Sequence, residues 1–245
     1  MLRRVRAGTT SRMTVVDHRE TYGRHVLERF VRGSEVDTCV DLGCGSGDDL
    51  MVVRRLNPNA RCIGIDHGDW NRDLLRSKGL EHAVADVEHQ PLPFENESVD
   101  LIIANQFLEH TKEVFWINHE IFRTLRVGGH FYLGVPNVLS LHNRVLGIFG
   151  VHPTCSKLIS AHIRSFSRRD TQFYYQEVAS SFAKVEKFSG SQFYPFPRGI
   201  SRPLSRAFPS LAFSIFFLIR KTSGYRGEFV DWLSNAQLET NYFAG

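Results

Sequence analysis

The chain has 245 residues, 42% hydrophobic and 23% charged, enough apolar material for one large core and not the composition of a disordered chain. Its formal net charge is +4, and the longest apolar run, Leu211 to Ile219, is nine residues with a serine inside, short of the ~20 a membrane-spanning helix needs. The four cysteines (Cys39, Cys44, Cys62, Cys155) form no CxxC pair and read as small apolar fillers in a reducing, cytoplasmic compartment.

Residues 1–20 carry no acid before Asp17 and read as a basic N-terminal segment, frayed or organelle-targeting. The first half then alternates short apolar runs with helical stretches, the pattern of βαβ units and a parallel sheet. An amphipathic helix is expected over Tyr22–Arg32, a strand over Thr38–Leu42, and a helix near Asp48–Leu56 stopped by Asn57-Pro58. A strand at Cys62–Asp66, a helix around Asn71–Lys78 and a short strand at Ala83–Ala85 follow. Val99–Ala104 reads as a fully buried strand, Glu113–Leu125 as a helix, and His130–Val135 as the next strand. Further on, a helix is expected over Arg168–Phe182 with Ser167 as its cap, and strands over Lys184–Phe188 and Leu211–Arg220. Gly190 to Pro209 holds four prolines and reads as a long loop or broken helices.

Chemistry concentrates in Val40-Asp-Leu-Gly-Cys-Gly-Ser-Gly-Asp-Asp49, where a strand hands over to a helix. Gly43, Gly45 and Gly47 permit a tight turn and close approach to a ligand, and the helix start suits a carboxylate. A dinucleotide site needs a third glycine where this chain has Asp48, and Asp41, Asp48 and Asp49 would repel a pyrophosphate. These acids suit a cationic cofactor. Asp66, 21 residues after Gly45, ends the second strand, where a carboxylate can accept both ribose hydroxyls. Asp86 follows the third strand, placed to accept from an adenine amino group, and Asn105 ends the fourth, beside the switch point of such sheets.

Residues 36–136 resemble the class I S-adenosylmethionine-dependent methyltransferases, with the motifs in family order. Asp41-Leu-Gly-Cys-Gly-Ser-Gly47 resembles the cofactor loop, with Asp41, Gly43, Cys44 and Gly45 the implied contacts. Asp66 with His67 resembles the ribose acid, Asp86-Val87 the adenine pair, and Leu125-Arg-Val-Gly-Gly-His-Phe131 the turn before strand five. The resemblance implies a Rossmann-like α/β fold, a seven-stranded mostly parallel sheet with helices on both faces, and S-adenosyl-L-methionine as cofactor. It divides the chain into a domain over 21–222, with a cofactor half 36–136 and an acceptor half 137–222, and a C-terminal tail 223–245 in which Phe229, Trp232 and Leu233 form an apolar cluster.

Gln106-Phe-Leu-Glu-His110 resembles the Glu-x-x-Glu-His motif of the ubiquinone-pathway O-methyltransferases and the plant small-RNA 2′-O-methyltransferases, where it binds a divalent metal with a later histidine, here His162. Gln106 replaces the first glutamate and weakens a Mg²⁺ site, because hard cations favour carboxylates. No metal is therefore assigned. Glu109 and His110 are the expected catalytic residues, with His110 as general base; that His110 only hydrogen-bonds the cofactor or the loop stays open. Tyr22 and His25 are candidates for a lid over the cleft, with core packing the alternative for Tyr22.

Between Val138 and Arg226 thirteen Lys or Arg face three acids, among many aromatics, which reads as a solvated basic surface over an aromatic core or as a site for an anionic acceptor or a membrane surface. Arg198, Arg202 and Arg206, spaced by four, fall on one helix face, as an acceptor pocket lining or as a solvated face. The reading is O-methylation of a small molecule, sugar or glycan precursor. RNA methylation is the alternative, without a recognisable RNA-binding module to support it. A membrane-associated or protein-binding module docking through residues 188–226 is the third reading.

Overall fold

A computed structural model of the chain describes residues 18–235; the basic segment through residue 17 and residues 236–245 lie outside them. The described residues form one seven-stranded sheet in the order β3-β2-β1-β4-β5-β7-β6. β1 (Thr38–Leu42), β2 (Arg61–Asp66), β3 (Glu81–Val84), β4 (Val99–Asn105) and β5 (Leu125–Pro136) run parallel, while β7 (Ser214–Lys221) is antiparallel to both β5 and β6 (Ala183–Ser191). All seven residues of β4 are buried, which is why its sequence is a continuous apolar run rather than an alternation. The strand order reverses between β1 and β4, so a crevice opens at their carboxyl ends.

Helices cover both faces. One core gathers Val40, Ile102, Phe122, Phe131, Phe182 and Phe229 beneath α4 (Val114–Thr124), α6 (Arg168–Ala179) and α8 (Glu228–Asn235). The other gathers Leu27, Phe30, Leu50, Leu101, Tyr132 and Phe216 beneath α1 (Arg24–Val31), α2 (Asp48–Leu56) and α3 (Arg72–Ser77). Lys221, at the end of β7, is fully buried and donates to the carbonyls of Phe122 (2.8 Å) and Leu125 (2.7 Å), satisfying free acceptors at the end of α4.

β1 and α2 fall where the apolar pattern sets them. Others differ. β3 begins two residues before the expected Ala83, α6 ends at Ala179 rather than Phe182, and β6 continues to Ser191 because it pairs with β7 along its length. α5 (Leu141–Ile148) was not foreseen, and the proline-rich 190–209 stretch contains a true helix, α7 (Arg198–Ala207), with Pro203 inside it. Beyond residue 222, α8 packs on α4: Phe229 is buried against Phe122 and Phe182, and Trp232 stacks on Phe115 at 5.4 Å. The side chain of Leu233, expected in the same cluster, lies outside the described ones.

Candidate active site

The loop after β1 forms the floor of the crevice. Gly43, Gly45 and Gly47 all take positive φ (70°, 49° and 74°), which only glycine adopts freely. A Cβ on Gly43 would strike the Phe107 ring at 2.5 Å, whereas one on Gly45 would point into open space. Gly45 therefore presents bare backbone to whatever occupies the cleft. Its N–H donates to Asp66 Oδ2 at 3.1 Å, and the Cys44 thiol lies 3.2 Å from the same oxygen, so the ends of β1 and β2 are tied together. Asp41 is buried beside them; burial, reinforced by Asp49 and Asp66, raises its pKa well above the usual carboxylate range.

Asp49, buried in the first turn of α2, accepts from Arg24 Nε at 2.8 Å and from Asn105 Nδ2 at 2.7 Å. Asn105 Nδ2 also donates to the Tyr22 carbonyl at 2.8 Å. Asn105, expected at the cofactor, thus spends its amide on bracing β4 to the loop and to the N-terminal 3-10 turn His18–Tyr22. Tyr22 lines the crevice, but His25 does not: it faces Glu20 at 3.6 Å, and burial followed by Arg202 pushes its pKa down to about 4.

The crevice consists of two cavities that share Gly43 and His110, of about 550 and 400 Å³. The larger is lined by Asp41, Gly43–Ser46, Asp49, Asn105, Glu109 and His162; the smaller by Asp66, His67, Asp86, Val87 and Phe107. Asp86 stands exposed at the rim, its carboxylate held below the usual range chiefly by His89 at 2.9 Å. His67 meets Trp70 edge to face at 4.7 Å.

At the junction lie Glu109 and His110, in a short 3-10 turn (Leu108–His110), facing His162 from the segment after α5. Their potential ligand atoms lie within 4.8 Å of one another. Glu109 is buried with neither carboxylate oxygen hydrogen-bonded among the described residues, and burial pushes its pKa up to about 8. His110 Nδ1 lies 3.2 Å from the Ala161 carbonyl and His162 Nδ1 lies 3.0 Å from that of Cys155. Since a carbonyl only accepts, both Nδ1 atoms carry a proton, and Nε2 of each ring is the nitrogen left without a backbone partner. Burial, then the neighbouring His110, lowers the His162 pKa, so its imidazole is neutral. Two oriented imidazoles beside a carboxyl without a hydrogen-bond partner fit a divalent cation, and a nitrogen-rich set of this kind suits a transition ion better than Mg²⁺. Gln106 lines the larger cavity beside this cluster and is not one of its three ligand residues.

Residues 40–133 match the family described as a methyltransferase domain. This stretch is a class I methyltransferase domain. The chain is 30% identical over 96 residues to the demethylmenaquinone methyltransferase of Lactococcus lactis, covering 37% of this chain and 38% of that one. It is 31% identical over 124 residues to the trans-aconitate 2-methyltransferase of Azoarcus, covering 49% of this chain and 47% of that one. The chain thus spans less than half the length of either relative. A solved S-adenosylmethionine-dependent methyltransferase from Mesorhizobium loti shares the fold, with a TM-score of 0.56 at 18% identity over 80% of this chain and 96% of that one.

The part of the chain beyond the methyltransferase domain corrects one expectation. Arg198, Arg202 and Arg206 do not line the crevice: Arg198 and Arg206 are exposed, and Arg198 and Arg202 pair with Glu20, at 3.2 Å and bidentately at 2.8 and 2.9 Å. They fasten α7 to the N-terminal turn, and residues 188–226 are largely built into β6, α7 and β7. No helix among the described residues is long and apolar enough to cross a membrane.

Proposed function

We propose that the chain is an S-adenosylmethionine-dependent methyltransferase that methylates an oxygen of a small molecule, sugar or glycan precursor, with His110 as general base. The observation that carries this reading is that the glycine loop, Asp66 and the Glu109–His110–His162 cluster line one crevice, joined at Gly43 and His110. The cofactor's adenosine belongs in the smaller cavity, with its ribose hydroxyls on Asp66 and its base near Asp86 and Val87. Its methionine part belongs over Gly43–Gly45. The raised pKa of Asp41 supports a positively charged ligand, because an ammonium or sulfonium nearby relieves the crowding of carboxylates there.

Methyl transfer is an in-line displacement. The acceptor oxygen forms the O–C bond as the C–S bond breaks, and the sulfur leaves as a neutral thioether. The acceptor's proton goes to His110 Nε2, the nitrogen left free by the Ala161 contact. Glu109, with a pKa of about 8, is a neutral acid at pH 7 and orients the acceptor as a hydrogen-bond donor rather than as a base. Were a divalent cation held by Glu109, His110 and His162, His110 Nε2 would be its ligand rather than the base, and the cation's Lewis acidity would acidify the acceptor hydroxyl in its place. Most of the barrier reduction is alignment of acceptor, methyl and sulfur, worth several kcal/mol.

Calorimetric titration of S-adenosylmethionine and S-adenosylhomocysteine into wild type and Asp66→Ala tests the reading. Micromolar binding weakened at least about tenfold by Asp66→Ala, a charge-assisted contact, is expected. A folded wild type that binds neither ligand overturns it.

A further inference from the structure

The segment between β5 and α6 presents apolar side chains that none of the described residues covers. Ile148 and Phe149, at the end of α5, are 80% and 75% exposed, and Leu158 and Ile159 are 102% and 94% exposed. Isolated exposed apolar side chains are ordinary, but a cluster on one segment marks a contact surface. The segment is held firmly. Ser140 Oγ accepts from the Asn143 N–H, Asn143 Nδ2 donates to the Asn137 carbonyl at 3.0 Å, and Asn143 Oδ1 accepts from the Thr154 N–H at 3.1 Å. The apolar tips are therefore presented outward from an ordered base.

Charge names the partner. No Asp or Glu occurs between Glu120 and Asp170, whereas Arg144, Lys157, Arg164, Arg168 and Arg169 fall in that stretch. A second copy of this chain would bring like charges together, which disfavours self-contact. Nucleic acid would suit the charges but leave the fully exposed aliphatic side chains without use. An anionic bilayer satisfies both. We propose that this segment is a membrane-docking surface, laying Ile148, Phe149, Leu158 and Ile159 into the headgroup–acyl boundary with Arg144 and Lys157 at the phosphates. Docking there brings the mouth of the crevice to the lipid, because His162, three residues past Ile159, lines it; only this consequence, an acceptor with an apolar tail, rests on the methyltransferase reading.

The test is co-sedimentation of the full chain with phosphatidylcholine vesicles, with and without phosphatidylglycerol. Wild type is expected to pellet with the anionic vesicles and to be released by high salt. Leu158→Ser/Ile159→Ser should lower partitioning at least about tenfold, and Lys157→Glu at least about fivefold. Circular dichroism and S-adenosylhomocysteine affinity should be unchanged in both. Ile148→Ser/Phe149→Ser provides a second apolar variant should the first misfold. Wild type remaining in the supernatant with anionic vesicles, or folded variants pelleting as wild type does, overturns the proposal. So does a vesicle-free dimer, seen by ultracentrifugation, that Leu158→Ser/Ile159→Ser returns to monomer, since the surface then belongs to a second copy. Absence of S-adenosylhomocysteine binding with vesicle partitioning intact would remove the methyltransferase reading and leave the docking surface standing.

Discussion

His110 and His162 stand edge to face with ring centroids 4.7 Å apart, and each spends Nδ1 on a backbone carbonyl. Fixing Nδ1 of each ring aims its Nε2, so both rings are oriented without a bound ligand. Glu109 completes the cluster with a carboxyl that has no hydrogen-bond partner among the described residues.

That cluster predicts cation binding. Calorimetric titration of Mn²⁺ or Co²⁺ into the ligand-free chain should give one site. His162→Ala and Glu109→Gln should each weaken it by at least about tenfold. Affinity unchanged in both variants would mean the ion binds elsewhere.

Glu109 also predicts a pH dependence of stability. Its pKa is about 8 in the folded chain against 4.5 as a free side chain, so the native state holds a proton that the unfolded chain releases. The contribution is fully present below about pH 4.5 and is lost as pH rises through about 8. Glu109→Gln removes this dependence. Denaturant titrations of the two proteins should diverge on the order of several kcal/mol in favour of the variant by about pH 8. Parallel curves would mean that Glu109 is not held neutral.

Glu20 is the anchor between the N-terminal turn and α7. Glu20→Ala leaves Arg202 and Arg198 facing each other without their carboxylate, and it should cost about 2 kcal/mol, discounted from a fully buried pair because both guanidinium groups are partly exposed. Chemical denaturation measures the loss, and Glu20→Gln should recover part of it. Because the Tyr22 carbonyl also binds Asn105, cofactor affinity should fall with stability.

Gly45→Ala separates folding from binding. Its φ of 49° costs an alanine roughly 1–2 kcal/mol, with no protein atom in the way. The added methyl enters the space reserved for the cofactor. A modest fall in melting temperature with at least about a tenfold loss of S-adenosylhomocysteine affinity is expected. Full affinity would place the ligand elsewhere.

The first half of the fold was legible because β1, β2, β4 and β5 carry buried apolar runs, whereas β3, with no buried residue, was found only in part. α5 was not, since Leu141, Val145 and Ile148 point outward and supply no inner face for periodicity to reveal. α7 was hidden by Pro203 and Gly199, poor helix formers whose cost is offset by the distant Glu20. In the site, the glycine loop and Asp66 could be read from spacing. The bracing role of Asn105 could not, because Asp49 and Tyr22 reach it only in three dimensions. His162 was singled out through family resemblance alone.

The buried carboxylate of Asp49 belongs at once to α2, to Arg24 of α1 and to Asn105 of β4. A piece of the chain ending before β4 would contain every glycine of the loop and Asp66, yet would lack the amide that holds the loop in place. Competence to bind should therefore arrive late during folding, after the fourth strand has been inserted between the first and fifth, and all at once rather than segment by segment.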